Sequence, residues 1–162
     1  GASSGLGRAI ARRFAAEGAA VVIADVTPEP REGGDPTETV VRAAGGQATY
    51  VSCDVSNWED VQALVAQTVT THGRLDVMVN NAMTTRYTPK ALLETSLDQW
   101  HAVLDVNLTG VFHGCKAAVA QMVTQEIQGE VRGRIINLSS LGRASSSSHA
   151  RSSSYRRKRS NP

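Results

Sequence analysis

The feature that most constrains this chain is its alternation of two apolar patterns. Short unbroken apolar runs take turns with longer segments of helical period, and glycine, proline and capping residues separate them. Ala20-Val21-Val22-Ile23-Ala24 is one such run, closed by Asp25. Having no polar face, it suits a strand covered on both sides. Ala48 to Cys53, Leu75 to Val79 and Arg134 to Leu138 read as further strands. Between them the spacing predicts helices. Arg8 to Glu17 places Ile10 and Phe14 on one face, and Gly18 is its stop. Asp35-Pro36-Thr37-Glu38 is a helix start, with Asp35 as N-cap, Pro at the first helical position and Glu three residues after the cap. That helix ends at Gly45-Gly46. Ser56-Asn57-Trp58-Glu59 is a second box of this kind, opening a helix through about His72 that Gly73 closes. Ser96-Leu97-Asp98-Gln99 starts a long helix through about Met122, and residues 27–34 and 82–95 read as loops. Strands separated by helices imply right-handed crossovers and a parallel sheet. The expected fold class is doubly wound α/β.

Composition marks where that pattern stops. Residues 1–140 carry 11 Lys/Arg and 15 Asp/Glu, a net of −4, whereas residues 141–162 carry six Lys/Arg and no acid. Eight of those last 22 residues are serine. Such a segment buries too little apolar surface to offset its ordering entropy. The chain therefore divides at about Ser140 into an acidic globular part and a basic Ser/Arg-rich tail, expected to be disordered. An acidic globular part argues against nucleic acid as a partner, and Arg156 to Arg159 alone read as a solvated charge run. No apolar run approaches the ~18–20 residues of a membrane helix, and no signal peptide opens the chain. Cys53 and Cys115 form neither a disulfide framework nor a C-x-x-C pair, and the four histidines show no metal-ligand grouping. A cytoplasmic location is the expectation.

The chain opens on Gly1-Ala2-Ser3-Ser4-Gly5-Leu6-Gly7, directly before the first helix. A glycine-rich turn at a helix N-terminus presents backbone N–H groups and the positive end of the helix dipole, a ready site for phosphate. Its spacing is G-x-x-x-G-x-G, not G-x-G-x-x-G, so alone it is a weak signal, with a purely structural turn as the alternative. Asp25 sharpens the first reading. It stands 20 residues after Gly5, at the end of the next strand, where a carboxylate accepts hydrogen bonds from a ribose diol. The alternative for Asp25 is an ordinary strand-end turn residue. A carboxylate there repels a 2′-phosphate, so NAD is favoured over NADP.

Gly1 to Gly7, Cys53-Asp54-Val55, Asn80-Asn81-Ala82, Asp105-Val106-Asn107 and Ile136-Asn137-Leu138-Ser139-Ser140 follow one another in an order that closely resembles the classical short-chain dehydrogenase/reductases. The resemblance covers residues 1–140 and implies a Rossmann-type sheet. It implies that Gly1, Ser3, Ser4, Gly5, Leu6 and Gly7 hold the cofactor pyrophosphate and that Asp25 selects NAD. By the same resemblance Asp54 hydrogen-bonds the adenine with Val55 beside it, and Asn80 and Ala82 line the cofactor cleft. The chain departs from the pattern at Met83, where the family has glycine, and a methionine there crowds the nicotinamide side.

For catalysis the family uses Asn, Ser, Tyr and Lys. Asn107 matches the Asn that holds a water in the proton path, and Ser140 the Ser that bonds the substrate oxygen. The Tyr-x-x-x-Lys pattern fits poorly. Ser153 stands where the tyrosine is expected, and the tyrosine downstream is Tyr155, with Lys158 three residues on and Arg159 four. Tyr155 and Lys158 are the candidates for proton donor and its partner, against a reading as solvated tail residues. The resemblance also implies a first, central strand before Gly1, and strands, a substrate loop and oligomer-forming helices after the tyrosine. The chain therefore reads as a partial NAD-dependent enzyme, inactive as written. Its complete homologue would be a homo-oligomer acting on a small-molecule alcohol or carbonyl substrate. The alternative is a non-catalytic nucleotide-binding fragment from a truncated or frame-shifted gene. Translating the other two frames downstream of the Ser140 codon should reveal a Tyr-x-x-x-Lys followed by further α/β pattern. Finding it in neither frame would make the tail native and Tyr155 the better proton donor.

Overall fold

A computed structural model describes residues 1–84 and 92–139. Ser140, Tyr155 and Lys158 lie outside the described residues, as does the whole tail. In chain order the elements are α1 (Gly5–Ala16), β1 (Ala20–Asp25), α2 (Thr37–Ala43), β2 (Gln47–Ser52), α3 (Trp58–His72) and β3 (Val77–Asn80). They continue with a 3-10 turn (Leu92–Glu94), α4 (Leu97–Leu104), a π-helical stretch (Asp105–Thr109), α5 (Gly110–Met122) and β4 (Arg134–Asn137).

The strands pair in parallel, as the alternation requires. Ala20 lies opposite Gln47 and Asp25 opposite Ser52, while Val77 lies opposite Arg134 and Asn80 opposite Asn137. The order is β1-β2 and β3-β4, in two separate two-stranded sheets. Among the described residues no strand lies between β1 and β3. This agrees with the expectation of an incomplete doubly wound sheet lacking its first strand.

Local signals place most boundaries, and three caps differ from the reading of the sequence. The first helix starts at Gly5, not Arg8, because the glycine turn winds directly into it. The second takes Pro36 at its cap with an extended ψ of 147°, and Thr37 is its first residue. The hydroxyl of Thr37 is drawn inward to the carbonyls of Ala2 and Ser3, at 3.2 and 3.1 Å. Glu38 pairs with Arg42 one turn on at 2.8 Å. In the third, Asn57 is the cap, its Oδ1 accepting from the Asp60 N–H at 3.1 Å. Ser56 donates instead to Asp54 Oδ1 at 2.7 Å. The Ser96–Gln99 capping box forms as read. Gly73 closes α3 with φ 82°, a conformation that costs a side-chain-bearing residue strain.

Two apolar clusters hold the layers. One joins α1 and α2 to the β1-β2 pair through Ala11, Ala15, Ile23, Val41 and Ala48. The other packs α3 and α5 on the sheet through Val61, Leu64, Val65 and Ala118, with Val22 of β1 and Met78 of β3 both against it. Ile23 and Val22 thus face opposite helix layers, as a strand buried on both sides requires. Cys53 sits in the second cluster, where burial pushes its thiol up to about 11 and keeps it neutral. Among the described residues no helix is long and apolar enough to cross a membrane. No group of His, Cys, Asp and Glu there is arranged to hold a metal ion.

Ile23 is 1% exposed and Ile136 is 42% exposed. Ile23→Ala should therefore destabilise by ~2–5 kcal/mol. Ile136→Ala should stay within about 0.5 kcal/mol of the parent. Urea midpoints at constant slope measure both.

Candidate functional site

The site is built where the glycine turn meets the carboxyl ends of β1 and β3. The Gly1 ammonium and the Ala2 N–H both donate to the carbonyl of Ala24, at 2.6 and 3.2 Å. On the other side Asn81 Nδ2 donates to the carbonyl of Gly1 at 2.6 Å. A Cβ on Gly1 would stand 2.6 Å from Ala82 Cα, and one on Gly7 would strike the carbonyl oxygen of Gly1. The first turn of α1 therefore sits directly on the backbone of residue 1. Gly5 adopts φ 53°, the left-handed region in which glycine is unstrained.

Serines 3 and 4 face inward or sideways. Ser3 is buried and donates its hydroxyl to the Thr27 carbonyl at 2.6 Å. Ser4 Oγ accepts from the Arg31 N–H at 2.8 Å. These side chains hold the shape of the turn. The Gly5 N–H at the start of α1 donates to Glu32 Oε1 at 3.0 Å. An anion thus already stands at this helix N-terminus, supplied by the loop after β1. The bond to Gly5 holds the Glu32 carboxyl below its ordinary range.

Asp25 occupies the end of β1 as the sequence suggests. Its Oδ2 accepts from the Ser3 N–H at 3.0 Å and lies 3.4 Å from the Gly1 ammonium. Its Oδ1 accepts from the Val26 N–H at 2.8 Å. Burial raises the Asp25 pKa, but the neighbouring ammonium and the two amides outweigh it, and the net shift is downward. The carboxylate is therefore both a clasp on the glycine turn and a fixed negative charge beside it.

The remaining candidates line the same region. Asp54 caps its own turn through Ser56 and is exposed. Val55 touches α5, where a Cβ on Gly110 would lie 2.6 Å from Val55 Cγ2, and its carbonyl is 2.9 Å from His113 Nδ1. Asn80 Nδ2 donates to Asn137 Oδ1 at 2.8 Å, tying the ends of β3 and β4 together. A Cβ on Gly114 would strike Asn80 Oδ1, so α5 lies against β3 at that point. Ala82 follows β3 against Gly1, and Met83 turns outward at 57% exposure. Asn107 lies in the π-helical stretch, a feature often found at functional sites. Its Oδ1 accepts from the Thr84 N–H at 2.8 Å and its Nδ2 donates to the Thr84 carbonyl at 3.1 Å. The residues from Gly1 to Asn107 named in the sequence thus converge along one edge. Asn81, Glu32, Gly110 and Gly114 belong with them and were not singled out. Only Asn81 carried a signal, lying inside a motif already noted.

A sequence profile described as short chain dehydrogenase matches residues 1–155. The chain belongs to that family. It is 42% identical over 141 residues to 3beta-hydroxysteroid dehydrogenase 1 of Eggerthella lenta, covering 87% of this chain and 51% of that protein. Against glucose 1-dehydrogenase 2 of Bacillus subtilis the identity is 39%, over 87% of this chain and 52% of that one. Among solved structures, a metagenomic short-chain oxidoreductase in complex with NADP superposes with a TM-score of 0.73 at 36% identity, over 87% of this chain and 59% of the other. A short-chain dehydrogenase/reductase from Burkholderia xenovorans gives 0.72 at 38%, over 85% and 52%. The chain spans about half the length of the curated relatives it matches. The family binds NAD(P), and the glycine cradle with an anion on its helix N-terminus fits that group.

Glu32 competes for the Gly5 N–H that the cradle offers to a phosphate. Glu32→Ala should tighten binding of NADH or NADPH by about two- to fivefold at neutral pH. Because the Glu32 pKa is depressed, its contact persists down through the ordinary carboxylate range and is lost as pH falls below it. The advantage of the variant should therefore shrink on acidification. Cofactor titrations followed by nicotinamide fluorescence measure both effects, and equal affinities at neutral pH would count against the competition.

Proposed function

We propose that the protein containing this chain transfers a hydride between NAD(H) and a secondary alcohol or ketone. The observation carrying the cofactor part is the ionised Asp25 clasped to the glycine turn at the end of β1. One carboxylate beside a 2′-phosphate at ~4 Å opposes binding by ~1 kcal/mol in water and ~4 kcal/mol near a protein surface. Even the lower figure is a severalfold preference for NAD. A similar structure is in complex with NADP, so the preference for NAD in this chain rests on Asp25.

Bound at this edge, the nicotinamide supplies or accepts the hydride. Gly1, Ser3, Ser4, Gly5, Leu6 and Gly7 would hold the pyrophosphate mainly through backbone, with Asp54 and Val55 at the adenine and Asn80 and Ala82 along the cleft. Asn107, clamped to Thr84, would fix a water for proton transfer. Ser140 would bond the substrate oxygen. The proton-transfer role falls to Tyr155 with Lys158, whose spacing is one residue short of the family pattern. The substrate is a small hydroxyl or carbonyl compound, in keeping with relatives named for a hydroxysteroid and for glucose. The globular unit ends at about residue 140. Exposed Trp100 on α4, Leu108 in the π-helical stretch and Phe112 on α5 support a homo-oligomer.

Asp25→Asn in the full-length protein separates charge from clasp. The amide can still accept from the Ser3 N–H but loses the oxygen that serves the Val26 N–H, and it repels nothing. The NADPH-to-NADH ratio of kcat/KM should rise about tenfold or more, with a loss of thermal stability of about one hydrogen bond, roughly 1 kcal/mol. An unchanged ratio, or a parent that already prefers NADPH, would overturn the assignment.

A further inference from the structure

Thr37 opens α2, yet its side chain ends on the glycine turn. It is 1% exposed. Its hydroxyl donates to the carbonyl of Ala2 at 3.2 Å and to that of Ser3 at 3.1 Å. A single proton serves both, so it lies between two successive peptide planes. Arg8 Nη1 donates to the same hydroxyl oxygen at 3.4 Å and to the Asp35 carbonyl at 2.8 Å. A guanidinium can only donate, whereas a hydroxyl both donates and accepts. Arg8 therefore takes the accepting side of the Thr37 oxygen and leaves its proton for the two carbonyls.

In a planar trans peptide the N–H points opposite to the C=O. The peptide between Ala2 and Ser3 gives its oxygen to Thr37 and its N–H, that of Ser3, to Asp25 Oδ2 at 3.0 Å. The peptide between Ser3 and Ser4 also gives its oxygen to Thr37, which turns the Ser4 N–H away from α2. Ser4 is the N-cap of α1, so that amide comes directly before the first helical one, at Gly5. One buried hydroxyl thus sets two consecutive amides of the turn. Docking of α2 does not need it. Val41 supplies the apolar contact of that helix, in a cluster with Ala11, Ala15, Ile23 and Ala48. A valine at position 37 would fill nearly the same space and leave both carbonyls without that donor.

We propose that Thr37 is a positioning residue for the cofactor, whose hydroxyl aims the Ser3 and Ser4 amides of the glycine turn and is itself oriented by Arg8. This role presupposes that the turn is the pyrophosphate cradle. Being buried, Thr37 acts through the turn and not on the ligand.

Titration of the full-length protein with NADH, followed by nicotinamide fluorescence, gives the dissociation constant, and a thermal melt accompanies each variant. Thr37→Val keeps the volume, removes the hydroxyl and should weaken NADH by roughly tenfold. Thr37→Ser returns the hydroxyl and should bind within about twofold of the parent. Val41→Ala loosens α2 through its apolar contacts alone, and should lower the midpoint while leaving NADH affinity within about twofold of the parent. Parental affinity in Thr37→Val, no recovery in Thr37→Ser, or an equal loss of affinity in Val41→Ala would each overturn the proposal and leave the cradle reading standing. If Thr37→Val does not fold, Thr37→Ala is compared with Thr37→Ser, and equal affinities in that pair would overturn it. A parent that binds neither NADH nor NADPH would overturn the cradle reading, and the role of Thr37 with it.

Discussion

The grip on Gly1 from two sides is the interaction on which the rest depends. Its nitrogen is held by Ala24 and its carbonyl by Asn81, so one residue joins two sheets that share no ladder. Gly7 then lets α1 descend onto that same carbonyl. Any side chain at either glycine would push the helix off the strands and pull the cradle apart. The positions of Asp25, Ala82 and the α1 N-terminus all follow from this contact.

Charge around the cradle is arranged with the helix dipole in mind. Two carboxylates, Asp25 and Glu32, accept from amides of the turn, at Ser3 and Gly5. Both are held below their ordinary carboxylate range, and these bonds tie the turn to the loop after β1. The two differ in consequence. Asp25 is anchored on both oxygens and half-buried, a permanent part of the wall. Glu32 comes from an exposed loop and holds a single amide, so a better anion can displace it.

On the opposite side, closeness of α5 to β3 serves the same edge. Gly110 and Gly114 remove the side chains that would otherwise hold the helix away from Val55 and Asn80. The π-helical stretch just before them turns Asn107 onto Thr84, and so fixes the chain leaving β3. Backbone proximity, rather than any charged network, sets the geometry there.

The sequence by itself determined the fold class, the order of the elements and most of the residues that line the edge beside the glycine turn. Those are carried by periodicity, by glycines and by short-range caps such as Ser96–Gln99. Tertiary structure decided what depends on residues distant in the chain. Thr37 is a first helical residue rather than a neighbour of an Asp35 cap because Ala2 and Ser3, more than 30 positions away, take its hydroxyl. Glu32 reads as loop acid until the fold lays it on Gly5, 27 positions earlier. Asn81 is one of two adjacent asparagines, and only the approach of Gly1 from 80 positions away distinguishes it. Local propensity is written in neighbouring residues, whereas a hydrogen bond across the fold is chosen by which backbone groups packing leaves without a nearer partner.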